Sequence, residues 1–460
     1  MKKLLSTLAV ATLALSPLPA HQPEPPEDKA LLALAINDFG MRLYSEIATG
    51  EDNACISPVS VSMAMLMALM GAEGETADEL SRVLGLGKAG STWQPDRVQQ
   101  ALAELMQDLT ASKGQAQLNI VNDMWGQQGY GFLQAYRQRL LDAGSKLHEL
   151  DFTGNPEQAR ETINDYIEKQ TQGRIENLMP HGSVTSIVRQ VLTNAVYFKA
   201  RWDNVFSPLA TTPQSFTLPN GKVVEVPTMH QTCAFSYAEN EQLQILRMGY
   251  DRCAYEMVLV LPRPGQGLDV ARAALQPDAL KAWIDRSKYR DVQVALPKFE
   301  FHSSYDRMVQ ALQRMGLTLA FDVARSDFSG VNGGVEPLPI DQVVHKTFLK
   351  VDEKGAEAAA ATAITVCGRA ITEPEPPVLF TADRPFMLAI RDFRTNSLLF
   401  VGQVADPRGG EKLSQSEPVE VLEPFELPEP VELPDSNKVP CVVCGPPRHV
   451  VLKARENPDR

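Results

Sequence analysis

The chain alternates between two hydrophobic rhythms. Ala35–Ala48, AINDFGMRLYSEIA, spaces its apolar residues at three and four, the pattern of an amphipathic helix. Ser57–Ala72, SPVSVSMAMLMALMGA, is apolar nearly all round, so it predicts a helix buried on every side, its methionines filling core. Thr76–Gly87, TADELSRVLGLG, predicts a helix that ends on Gly85 and Gly87. Ser186–Trp202, SIVRQVLTNAVYFKARW, is rich in β-branched and aromatic residues and predicts a buried strand. Cys253–Pro262 and Ser397–Pro407 have the same character. Helical and strand patterns follow each other without regular β-α alternation, which favours an α+β fold over a doubly wound sheet.

One segment fits both rhythms. From Ala356 to Ala363 the sequence is AEAAAATA, followed by ITVCGRA and a proline-rich run. Alanine is the best helix former, yet an isolated helix of this length is marginal in water. Gly355 precedes it, and the β-branched Ile364, Thr365 and Val366 follow. With period two, Ala356, Ala358, Ala360, Thr362, Ile364 and Val366 share one face. Glu357, Ala359, Ala361, Ala363, Thr365 and Cys367 share the other, which carries the only charge. The segment is thus predicted to exist either as an exposed loop or as a strand with one side buried.

Composition narrows the partners. The 460 residues are 44% apolar, ample for a large core, and length alone suggests two to four domains. Forty-four basic against 57 acidic residues give a net charge of −13 with no long Lys/Arg run, so neither nucleic acid nor an anionic membrane is an expected partner. Residues 1–20, MKKLLSTLAVATLALSPLPA, have the charged start, apolar run and small terminal residue of an export signal. Residues 21–28 are a Pro-rich lead-in. Six cysteines in a chain this long do not make a disulfide scaffold, and no N-x-S/T sequon occurs.

After Pro407 the composition shifts. In residues 409–440 a glutamate recurs every third position from Glu417 to Glu432 among interleaved prolines, matching the three-residue turn of polyproline II. This stretch reads either as an acidic spacer or as a strip that docks on a basic partner. Residues 441–460 carry Cys441 and Cys444 as a CxxC, with only His449 nearby, so a zinc site is incomplete. HExxH, GxSxG and P-loop patterns are absent from the sequence. The GxGxxG match at Gly85–Gly90 follows a helical pattern, where nothing would orient a pyrophosphate. The seven histidines have no metal-like spacing. No catalytic residues, metal or cofactor are expected.

Val351–Ala363, VDEKGAEAAAATA, resembles the hinge of the serpins, the serine protease inhibitor family, and the overlapping Val343–Gly355, VVHKTFLKVDEKG, is similar to another segment of that family. In the same order, ISPVSVSMAMLMALMGAEGETADEL, TQGRIENLMP, VLTNAVYFKARW, VALPKFEF, DRPFMLAIRD and LLFVGQVADP are similar to other family segments, covering residues 29–408. The resemblance implies one α+β domain with three β-sheets, about nine helices and an exposed reactive loop at about 354–380. It implies a suicide-substrate inhibitor whose cleaved loop enters the main sheet while a serine protease is still attached to it as an acyl-enzyme. A non-inhibitory carrier, chaperone or binding module is the alternative. The hinge would comprise Glu353, Gly355, Ala356, Glu357, Ala358, Ala359, Ala360, Ala361 and Thr362. The bait would be Arg369, with Ala370 after the scissile bond, which suits a trypsin-like pocket. Ser57, Asn194 and His345 resemble the polar cluster beneath the opening strands, Trp202 the aromatic at the insertion point, and Lys298 with Glu353 an ion pair there. The expected molecule is an exported monomer, periplasmic or extracellular.

Overall fold

The computed structural model describes residues 28–86, 95–111, 116–305, 307–356 and 376–409. The signal, the lead-in, hinge residues 357–362, Arg369 with Ala370, and the acidic and CxxC tails lie outside the described residues.

Ten α-helices and two 3₁₀ turns occur among the described residues, with two β-ladders. Helix α1 (Asp28–Ile47) is amphipathic, as its spacing predicts. Helix α2 (Pro58–Leu69) has all twelve residues buried. Ser57 caps it, its side chain accepting from the Ser60 N–H, and Pro58 stands at the first turn, where a missing N–H costs nothing. The helix over Gly74–Val83 ends as expected, with Gly85 at φ +75°.

The smaller ladder holds the site. Its strands in chain order are β1 (Gln117–Gln127), β2 (Lys146–Leu150), β3 (Gln190–Arg201), β4 (Phe299–Tyr305), β5 (Gln342–Asp352) and β6 (Gly355–Ala356). Across the sheet the order is β4-β5-β6-β3-β1-β2, with β5 also pairing β3. The strand expected at Ser186–Trp202 starts at Gln190, because Ser186–Arg189 turn into it.

The larger ladder has nine strands. The seventeen-residue strand Val223–Glu239 pairs Thr212–Thr217 through its first third, Lys288–Pro297 through Thr228–Tyr237, and Leu243–Tyr250 through Ser236–Glu239. Two of the three expected sheets are therefore hydrogen-bonded into one ladder by a strand that leaves one partner as it gains the next. Tyr255–Pro262 and Leu398–Val404, both expected strands, are buried at every position in this ladder.

The described apolar residues form two cores. The larger joins α1, α2 and the nine-stranded ladder to one face of the six-stranded sheet. The second lies on that sheet's other face, where Ile163 and Ile167 of α3 (Pro156–Gln170), with Ile175, Leu178 and Met179 beyond it, cover Val191, Ala195 and Tyr197 of β3 and Phe348 of β5. Cys55 is a buried free thiol and Cys253 an exposed one, and Cys233 is disulfide-bonded.

Candidate functional site

Strands β3 and β5 run parallel and pair over seven rows, from Val191 with Gln342 to Tyr197 with Phe348. Above Phe348 they part. Into the opening comes β6, two residues long and antiparallel to both neighbours: Ala356 stands opposite Ala200 and Val351, and Gly355 opposite Arg201 and Asp352. The six-stranded sheet thus has a closed parallel seam below and the first two residues of an intervening strand above.

The turn that feeds β6 is tightly held. The Trp202 N–H donates to the Lys354 carbonyl (3.0 Å), the Phe206 N–H to the Glu353 carbonyl (3.0 Å), and Trp202 Nε1 to the Asp352 carbonyl (2.9 Å). Trp202 stacks on Tyr250 with ring centres 4.0 Å apart. Glu353 and Lys298 form the ion pair expected of them, Nζ to Oε2 2.8 Å, and the Thr211 hydroxyl donates to Glu353 Oε1 (2.8 Å). Partial burial raises the Glu353 pKa, but hydrogen bonds from Lys298, the backbone and Thr211 outweigh it and hold the carboxyl below its ordinary value. Gly355 has φ +144°, and a Cβ there would lie 2.1 Å from the Ala200 carbonyl oxygen. Only glycine fits where the chain enters the sheet.

On the α2 side, four polar side chains occupy one row of the sheet: Asn122 of β1, Asn194 of β3, His345 of β5 and Tyr305 of β4. The Ser57 N–H donates to His345 Nε2 (3.1 Å) and the Ser60 hydroxyl to Asn122 Oδ1 (2.8 Å). Burial pushes the His345 pKa down to about 3, so the ring is neutral, and an accepting Nε2 puts its proton on Nδ1. That Nδ1 and both amide atoms of Asn194 are buried without a hydrogen-bond partner. Ser57, Asn194 and His345 therefore come together beneath the seam, whereas Trp202 and the Lys298–Glu353 pair sit at its upper end. The sequence reading missed Asn122 and Ser60. Their signal was a polar residue at an inward position of a strand and another inside an otherwise apolar helix.

The opposite face of the seam is covered too. Lys346 Nζ donates to the carbonyls of Glu176 (2.7 Å) and Asn177 (3.1 Å), Gln342 Nε2 to the Ser183 carbonyl (2.5 Å), and the Arg174 guanidinium lies over Phe348. The segment after α3 is thus fastened to β5. Period two predicts an inserted strand with one buried side, but a strand entering this seam would meet packed side chains on both.

Among the described residues no group of three or more His, Cys, Asp or Glu is arranged to hold a metal ion, and no helix is long and apolar enough to cross a membrane.

A six-stranded sheet whose parallel seam is already entered by two residues of an antiparallel strand defines the class of fold. The family model for serpins, serine protease inhibitors, matches residues 34–407, and the chain belongs to that family. It is 38% identical over 379 residues to an uncharacterized serpin-like protein of Thermococcus kodakarensis, covering 82% of this chain and 86% of that one. It is 33% identical to antithrombin-III of Mus musculus, covering 82% of each. The solved structure of human thyroxine-binding globulin complexed with thyroxine superposes with a TM-score of 0.75 at 28% identity, over 83% of this chain and all of that one.

Proposed function

We propose that this serpin is an exported, monomeric suicide-substrate inhibitor of trypsin-like serine proteases, with Arg369 as bait and the 369–370 bond as the scissile bond. The observation that carries the reading is β6, already hydrogen-bonded between β3 and β5 in the antiparallel sense that an inserted loop requires.

Continuing that register down the seam supports loop insertion. Glu357 would stand between Lys199 and Lys350, a pairing of opposite charges on neighbouring strands. Ala359 would stand between Tyr197 and Phe348. Thr362 would stand between Asn194 and His345, where its hydroxyl finds the buried donors and acceptors that have no partner in the closed sheet. Insertion exchanges seven parallel rows for two antiparallel ladders. A net gain of roughly a dozen hydrogen bonds, each about 1 kcal/mol, is enough to deform an attached protease. Arg369 would then lie beyond the lowest paired row, at the pole opposite Trp202.

A band near the combined mass of this chain and trypsin, stable in SDS under reducing conditions and absent for Arg369→Glu, is the expected result. Likeness to thyroxine-binding globulin favours a second reading, a carrier that does not trap proteases. Clean cleavage by trypsin with neither a covalent band nor a gain in heat stability would select it.

A further inference from the structure

The foot of the seam is held by a group that the hinge and the polar row do not include. Asp341 immediately precedes β5. Its Oδ2 accepts the backbone N–H of Arg189 (2.6 Å) and of Gln190 (2.9 Å), and its own N–H donates to the Gln190 carbonyl (3.1 Å). The other side of this corner is fixed as well, because the Gln127 N–H donates to the Arg189 carbonyl (2.9 Å). Three hydrogen bonds therefore close β5 onto β3 one row below their last ladder pair, and two of them go to a carboxylate, the stronger kind of acceptor. Beside them the Gln190 side chain is wholly buried, with neither amide atom partnered, so the ties between β3 and β5 at this row are those of Asp341.

We propose that Asp341 is a terminal latch of the seam, a positioning residue that separates partial from complete loop insertion. The inference rests on the insertion reading above. Ala356 faces Ala200 and Val351, so a strand ten residues further on reaches Gln190 and Asp341. Val366 would occupy that row. The upper seam can therefore fill while the latch stays shut, but Arg369 cannot pass to the far pole until the Asp341 carboxylate gives up both N–H groups. Upper and lower halves of the seam thus open separately, and the lower half sets the last step of the race between insertion and deacylation.

Two peptides test this on the full chain without any protease. One has the sequence of residues 357–366 and spans the seam to the latch row; the other has that of residues 357–361 and stops at the row of Ala195 and Lys346. Each carries a fluorophore, and uptake is followed on native gels. For Asp341→Ala the long peptide is expected to enter about tenfold faster than in the parent, a barrier change of about 1.4 kcal/mol, with the short peptide unchanged. Asp341→Asn, which keeps one acceptor oxygen and is the milder change to the fold, should lie between. Equal acceleration of both peptides would make Asp341 an ordinary structural residue and overturn the proposal, as would an unaltered rate for the long one. A parent chain that takes up neither peptide would overturn the insertion reading itself and the latch with it.

Discussion

Asn194 and His345 face each other across a parallel seam, in the same row, without a hydrogen bond between them. On loop insertion each strand would exchange its neighbour. Asn194→Ala removes two unpartnered polar atoms from the closed sheet but also removes what an inserted Thr362 would bond. The difference between cleaved and intact chain should therefore shrink. We expect the rise in melting temperature on cleavage by trypsin to fall by about 2 °C or more, measured by calorimetry. An unchanged rise would show that the row takes no part in the inserted state.

The same row makes the intact molecule acid-sensitive. His345 is held neutral, its pKa lowered from 6.5 to about 3 by burial. The unfolded chain binds that proton first, so this group's contribution is complete above pH 6.5 and is lost progressively as pH falls from there towards about 3. Urea midpoints measured across that window should decline less steeply in His345→Gln than in the parent.

Gly355→Ala tests the entry point. A Cβ at φ +144°, in contact with the Ala200 carbonyl, forces β6 out of register. The expected outcome is a fall of about tenfold or more in the fraction of trypsin trapped, with cleavage retained, read from the stoichiometry of inhibition. Trapping at the parental level would mean that insertion does not begin at β6.

Ala360→Glu tests the buried path. In the continued register residue 360 stands between Val196 and Thr347, both buried on the α2 side. A carboxylate there costs several kcal/mol, so the variant should be cut at Arg369 as a plain substrate and give no covalent band. Glu357→Ala is the matched control and should retain trapping, since residue 357 would face Lys199 and Lys350 at the less buried mouth.

The Lys298–Glu353 pair secures the turn ahead of β6. Lys298→Ala should lower the melting temperature modestly, by the equivalent of about 1 kcal/mol or less for a half-exposed pair. Because the Glu353 pKa is held below 4.5, the pair's stabilisation is present above that pH and fades as pH falls below it. The gap between variant and parent should therefore close in acid.

Periodicity alone located α2, whose twelve buried residues leave no polar face, and the buried strands Tyr255–Pro262 and Leu398–Val404. It also predicted two conformations for the alanine track, most of which lies outside the described residues. What it could not supply was pairing. Nothing local in VLTNAVYFKA says that its neighbour is VVHKTF, nor that the two run parallel, because that contact joins residues about 150 positions apart. Asn122 escaped for the same reason: its significance lies in sharing a row with Asn194 and His345, and a row is a property of three strands. Ser57, Asn194, His345, Trp202 and Lys298 were legible only through likeness to a family. Asp341 was not, since an aspartate before a strand looks like any turn residue until its two N–H donors are seen.

The unpartnered atoms of Asn194 and His345 leave the resting protein with buried polar groups that its sequence could easily replace. Replacing them with well-packed aliphatic side chains would be expected to make the intact molecule hardier and the cleaved one no better. Stabilising substitutions at this row should thus act as brakes, so a laboratory selection for heat resistance alone would drift towards a sturdy protein that proteases simply digest at Arg369.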